Sequence, residues 1–201
     1  MAAAGRRERN KADKWDRILR AAAKLFDERG YKATTTTEVA RAAGIGTGTL
    51  FLYVRTKEDL LIAVFRDQVG RAWNEAFNEA DPTAPLLEQL MHAFGEVVEH
   101  HAHTPELAHA FIREVPALSD EARAGARDFM RWYFGRLDEL LVAARDRGLL
   151  AADVPTDVLA TNLYAAYHYH LPRCLAGHQS KAATVAALRA AFSLQLRGLV
   201  P

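Results

Sequence analysis

Among 201 residues there is one cysteine, Cys174, so the chain can close no internal disulfide and cannot be a Cys-rich zinc module. No apolar run approaches the roughly 18 to 20 residues that span a bilayer. The longest stretch without a charge, Val158 to Pro172, is shorter than that and contains Asn162, His168 and His170. The opening residues, Met1-Ala-Ala-Ala-Gly-Arg-Arg-Glu-Arg, lack the apolar segment of a secretory leader. Internal repeats and low-complexity tracts are also missing. A cytoplasmic protein without a membrane partner is the expectation. What remains is 50% hydrophobic and 25% charged, the make-up of a folded globular chain and not of a disordered one.

A net charge of +1 conceals an asymmetry. Residues 1–57 carry 13 Lys and Arg against 6 Asp and Glu, whereas residues 58–201 carry 13 against 19. All eight histidines fall in the second part. A basic front with an acidic remainder suggests that the front meets a polyanion.

Periodicity predicts helices throughout and no strand. Ile18, Ala22, Leu25 and Phe26 share one helix face, and Gly30 supplies the stop. Thr35 and Glu38 have the spacing of a capping box, which opens a short helix over Thr36–Ala43 that Gly44 closes. A second short helix follows at once, Thr47–Tyr53, and a fourth starts near Lys57-Glu58-Asp59. Two short helices across a tight glycine turn have the layout of a helix-turn-helix. Val39, Ala40, Ala43, Ile45, Leu50 and Val54 are sized to pack these helices onto Ile18, Ala22 and Phe26. Gly44-Ile-Gly46-Thr-Gly48-Thr fails as a nucleotide loop, because Thr49 takes the last glycine position and no strand precedes it.

The segment from Arg17 to Leu61 resembles the N-terminal DNA-binding domain of the TetR family of transcriptional regulators. The likeness is carried by Phe26, Gly30-Tyr31, Ala33-Thr34-Thr35, Val39-Ala40, Ala43-Gly44-Ile45, Gly48-Thr49-Leu50, Tyr53, Lys57 and Leu60-Leu61. It implies that Thr47, Gly48, Thr49 and Leu52 meet base edges in a major groove, with Thr37 at the groove edge. It also implies phosphate contacts from Thr36, Tyr53 and Lys57, while Thr35 and Gly46 open helices whose free N–H groups suit phosphate. The sequence departs from the family at Gly46, which cannot cap its helix with a side chain, and at Phe51, which replaces a usual tyrosine. Gly48 adds further flexibility. The Arg6, Arg7, Arg9, Lys11 arm is read as a flexible tail, with phosphate or minor-groove contact as the other reading.

Beyond residue 58, breaks at 81–85, 104–105, 116–119, Gly148 and 153–156 separate helical stretches, Ser180 opens a last helix, and Pro172 should kink or end the one before it. Val185, Leu188, Phe192, Leu196 and Leu199 form one seam; Leu159, Leu163, Ala166 and His170 form another. Two such helices per chain can pair across a two-fold axis, which is how the resembled family dimerises, so Leu159, Leu163, Val185, Leu188, Phe192 and Leu196 are the expected dimer contacts. Between residues 70 and 170 lie Trp73, Phe77, Phe94, Phe111, Phe129, Trp132, Tyr133, Phe134, Tyr164, Tyr167 and Tyr169. Singly these read as core. As a group they fit the effector cavity that the resemblance implies, with Trp132, Tyr164, Tyr167 and His168, then Met91 and Phe94, as its wall.

His100, His101, His103 and His109 with Glu96 and Glu99 read as a solvated, helix-ending cluster, and no metal or cofactor is expected. Cys174 reads as a passive thiol. Nucleophile elbow, paired metal motif and phosphate loop are all lacking, so an enzyme is not expected. The architecture expected is all-α: a flexible basic arm over 1–13, a three-helix helix-turn-helix DNA-binding domain over 14–58, and a helical effector-binding and dimerisation domain over 59–201. The function expected is a homodimeric repressor that binds double-stranded DNA at a palindrome and is released by a small apolar or aromatic effector. An activator, a regulator answering to a protein partner, and a ligand-binding protein or enzyme that keeps the helix-turn-helix shape are the alternatives.

Overall fold

No proline occurs before Pro82, and alanine, arginine and lysine, all strong helix formers, dominate the first 29 residues. In the computed structural model they form one helix, α1, over Ala2–Arg29. The structure describes residues 2–103, 108 and 119–200, without the side chains of 2–7 and 103. The arm expected to be flexible is thus continuous with the helix that follows it. Seven more helices occur among the described residues: α2 (Thr36–Ala42), α3 (Thr47–Leu50), α4 (Lys57–Glu79), α5 (Leu86–His103), α6 (Asp120–Asp146), α7 (Thr156–Leu175) and α8 (Lys181–Gln195). No strand is found among those residues, and no helix of the described chain is long and apolar enough to cross a membrane.

Two units emerge, Met1–Gln68 with Glu106–Ala126, and Val69–Pro105 with Arg127–Pro201. This differs from the expected boundary at residue 58. The reason lies in α4, whose Leu60, Leu61 and Val64 are buried in the same core as Ile18, Ala22 and Phe26 of α1. That core also takes Val39, Ala40, Ala43, Leu50 and Val54, with Ile45 packed against it. Burial of each large aliphatic side chain contributes about 1.5–3 kcal/mol, so the short helices are held by packing more than by their own propensity. Gly30 (φ 79°) and Gly44 (φ 67°) make the two turns that need a left-handed residue. Asp59 tethers the start of α6 to this unit, accepting from the Ser119 N–H at 3.1 Å.

The second unit packs α8 against α7 and α5, and α7 against α5. Buried positions recur every three or four residues: Tyr133, Leu137, Leu141 and Ala144 on α6, and Thr184, Leu188 and Phe192 on α8. Ser180 caps α8, its Oγ accepting from the Ala183 N–H at 3.2 Å. Arg189 grips Glu88 of α5 through both guanidinium nitrogens, at 2.6 and 2.8 Å. Pro172 does not end α7, which continues to Leu175.

One histidine departs from the expected solvated cluster. His101 is 2% exposed, because its position on α5 falls on the face that buries Val97 and Val98. His109 lies outside the described residues, as do Phe111 and the breaks at 104–105 and 116–118. Among the described residues no three His, Cys, Asp or Glu side chains converge as a metal site would require.

Burial, with a smaller contribution from His100, pushes the His101 imidazole down from 6.5 to about 3. Its folded value lies below its unfolded value, so the unfolded chain binds the extra proton between those limits. Stability should therefore fall as pH drops from about 6.5 towards 3, by at most about 1.4 kcal/mol per pH unit. We expect His101→Leu to show a smaller loss of Tm between pH 7 and pH 5 than the wild type in scanning calorimetry. Equal losses would assign the acid sensitivity to other groups.

Candidate nucleic-acid interface

The polar edge of the first unit is built by local rules. Thr35 has an extended backbone (φ −106°, ψ 153°) and caps α2 in a full capping box with Glu38. Its N–H and its hydroxyl both donate to Glu38 Oε2, at 2.9 and 2.8 Å. The Glu38 N–H donates in return to Thr35 Oγ1 at 3.2 Å. These bonds, the backbone one foremost, hold the Glu38 carboxyl below its usual range, with smaller help from Arg29 and Arg41. Thr35 was expected to open a helix whose free N–H groups suit phosphate. Its own N–H and hydroxyl donate to Glu38 and fix the start of α2. Thr36 and Thr37 remain part-exposed and exposed on the first turn of α2.

Gly44 then reverses the chain, and Gly46 caps α3 without a side-chain bond. The Gly46 carbonyl accepts from the N–H groups of Thr49 and Leu50, at 2.9 and 3.2 Å. Regular α-helix covers only Thr47–Leu50, and turns continue to Tyr53, less than the seven-residue helix expected. Two glycines at the start and no side-chain cap account for the shortness. Leu50 is fully buried, which fixes the roll of this segment. Its other side presents Thr47, Gly48 and Thr49, with Leu52 83% exposed and Phe51 47% exposed.

Tyr53 and Lys57 flank this surface. The Tyr53 ring lies parallel to that of Trp15, with centroids 5.8 Å apart and planes inclined by 6°. Lys57 Nζ sits 4.3 Å from the centroid of the Tyr31 ring and donates to the Lys32 carbonyl at 3.2 Å. Beside them an open cleft of about 380 Å³ is bounded by Glu8, Lys11, Ala12, Trp15, Leu52 and Tyr53. The expected contact residues, Thr35 among them, are all exposed or part-exposed. Trp15 was missed, although it continues the stripe of Ile18, Ala22 and Phe26 one turn towards the N-terminus. Phe51, treated only as a lost hydroxyl, proves to be an exposed apolar ring.

In the second unit the expected effector wall is only partly assembled. Phe94 and Tyr167 meet at 5.4 Å between centroids, and both pack on Trp73, at 4.9 and 5.9 Å. Tyr164 joins them through Tyr133 at 5.1 Å. Trp132 stacks on Phe129, His168 is exposed beside Tyr164, and Met91 is buried at 6% exposure. Trp73 and Tyr133, the centre of the cluster, were not singled out. Nothing in a periodic pattern distinguishes a ring that touches four others from one that touches one.

The expected dimer seam needs correction. Leu159, Leu163, Leu188, Phe192 and Leu196 are at most 5% exposed within a single chain, and Val185 is part-buried. They are the inner faces of α7 and α8, already covered by α5 and by each other. The outer faces carry Val158, Ala165 and Tyr169 on α7, and Ala183, Ala186, Ala190 and Leu194 on α8, all exposed.

Two family matches fall on these two units. Residues 18–64 match the family described as bacterial regulatory proteins, tetR family, a span that begins and ends on buried residues of the first core, Ile18 and Val64. Residues 83–170 match the tetracyclin repressor-like C-terminal domain. The chain belongs to the tetR family. It is a DNA-binding regulator of transcription of the tetR type. Among its relatives, the fatty acid metabolism regulator protein of Bacillus subtilis (strain 168) is 26% identical over 140 residues, 70% of this chain and 72% of that one. The transcriptional repressor KstR2 of Mycolicibacterium smegmatis (strain ATCC 700084 / mc(2)155) is 34% identical over 92 residues, 44% of this chain and 45% of its own length. The structure of Thermus thermophilus FadR, a tetR-family repressor in complex with lauroyl-CoA, superposes with a TM-score of 0.72 at 25% identity and covers 93% of this chain and 95% of that one. These relatives are regulators and not enzymes.

The capping box can be checked directly. Thr35→Ala should cost about 1 kcal/mol, a fall in Tm of about 3 °C for a chain of this size. An unchanged Tm would mean that α2 is held by its packing alone.

Proposed function

We propose that this tetR-family regulator works in the cytoplasm as a homodimeric repressor, reads a palindromic operator through α2 and α3, and is released by an apolar, acyl-bearing effector. The DNA reading is carried by one observation, the buried Leu50 that turns Thr47, Gly48, Thr49 and Leu52 outward. These residues offer methyl groups and short hydroxyls but neither guanidinium nor amide. Recognition would then draw on thymine methyls and groove shape more than on paired hydrogen bonds to guanine. Thr37 would lie at the groove edge. Thr36, Tyr53, Lys57 and the N–H groups following Gly46 would contact phosphates.

The acyl class of effector draws support from a relative named for fatty acid metabolism and from the lauroyl-CoA complex of another. The aromatic interior of the second unit suits an apolar chain. Release requires that the effector bind more tightly to a conformer that no longer fits the operator than to one that does. The dimer is proposed through the outer faces of α7 and α8. Six large apolar residues are exposed among the described ones; Val158, Tyr169 and Leu194 fall on these faces, and Phe51 and Leu52 on the DNA edge. Interleaved alanines would let the two copies approach closely.

Selection of the purified protein on a random duplex library tests the operator reading. A two-fold symmetric site should be enriched, and lauroyl-coenzyme A should release it. Lys57→Ala should bind every sequence more weakly and lower the salt slope by about one unit per bound chain. Enrichment of nothing at low salt would sink the operator reading, and an unaltered slope would remove Lys57 from the phosphate contacts.

The dimer face has its own test. Ala190→Glu combined with Leu194→Glu should sediment as a folded monomer with weakened operator binding. Persistence of the dimer would move the interface elsewhere.

A further inference from the structure

Tyr133 of α6 lies at the centre of the aromatic cluster with 1% exposure. Its ring meets Trp73 at 4.7 Å, Tyr164 at 5.1 Å and Phe134 at 5.5 Å between centroids. Its hydroxyl oxygen is buried and has no hydrogen-bond partner among the described residues. Buried polar groups are almost always paired, and an orphan in a native core calls for an explanation. Packing gives none, since a phenylalanine there would keep every ring contact and leave no unmet donor. A second tip points the same way. Among the described residues the Tyr164 hydroxyl reaches only the thioether sulfur of Met130, at 3.8 Å, which is a weak acceptor.

The surroundings narrow what could satisfy Tyr133. Its ring neighbours are uncharged, and burial holds its phenol well above the usual pKa, so it stays a neutral donor. A carboxylate brought against it would lose its hydration with no cation in return, at a heavy cost. A carbonyl oxygen in an ester or thioester asks for one donor and carries no charge. Tyr164 is only part-buried and touches Tyr133 on one side and the exposed His168 on the other. It therefore forms the outer wall of the cluster.

We infer that the Tyr133 hydroxyl is the polar anchor of the effector site, donating a hydrogen bond to the uncharged carbonyl oxygen of an acyl ester or thioester. This rests on the effector reading proposed above and adds its chemistry: the ligand's acceptor is uncharged, and a free fatty acid is the wrong ligand.

The test compares Tyr133→Phe with the wild-type chain. Without ligand, the variant should have a Tm equal to or above that of the wild type, because nothing is lost with the hydroxyl. A clear fall in Tm would reveal a structural partner, such as an ordered water, and overturn the inference. With selected operator DNA, methyl laurate and lauroyl-coenzyme A should release the wild type, while laurate should need at least tenfold more. For Tyr133→Phe, half-release by either ester, normalised to the variant's own unliganded affinity, should need about tenfold more ligand, or about 1.4 kcal/mol. Equal release of variant and wild type would remove Tyr133 as the anchor. Laurate as potent as methyl laurate would overturn the neutral-acceptor assignment alone. A wild-type protein indifferent to all three would overturn the acyl effector reading, and this inference with it.

Discussion

A helix of four residues cannot sustain itself in water, since nucleation fixes several torsions for each hydrogen bond gained. The Thr47–Leu50 helix is held because Leu50 is fully buried in the core to which α1, α2 and α4 also contribute. The surface proposed to meet DNA depends on that burial. It sets the roll of the helix, and through it the direction in which Thr47, Gly48, Thr49 and Leu52 face. The capping box at Thr35 and the reversal at Gly44 bring the chain to this point in the right register. Trp15 then backs Tyr53 on the far side.

The second unit meets a different demand. Its interior has to be full enough to fold and yet able to respond to a ligand. A cluster of Trp73, Phe94, Tyr133, Tyr167 and Phe192 supplies large buried area through edge contacts at 4.7 to 5.9 Å. Outside it, the grip of Arg189 on Glu88 ties α8 to α5 across exposed side chains, where solvent screens the pair. With the effector placed as proposed, stability and sensing would draw on the same rings.

Features decided within a few residues were legible from the amino-acid order. The box between Thr35 and Glu38, the stops at Gly30 and Gly44 and the cap at Ser180 are of this kind, as each is a bond or a torsion between near neighbours. Features decided by what arrives from far along the chain were not. Leu188 and Phe192 mark a face by their spacing, but spacing does not tell whether α5 or a second copy covers it. His101 reads as one of several polar residues at a helix end until its face is known to turn inward. Thr35 illustrates a subtler case: its type and place suit a phosphate contact, yet its two donors are consumed by the cap it forms. Tyr133 is one aromatic among eleven in that stretch, and only its lack of a partner sets it apart.

Leu52 is 83% exposed, and Gly48 has nothing within 4 Å of where a Cβ would stand. At these two positions the surface proposed to meet bases takes no part in side-chain packing. Substitutions there can alter sequence preference while the scaffold keeps its stability, so specificity and folding are separable quantities in this chain. A regulator built this way can be redirected to new targets by single residue changes, whether by mutation over generations or by design at the bench.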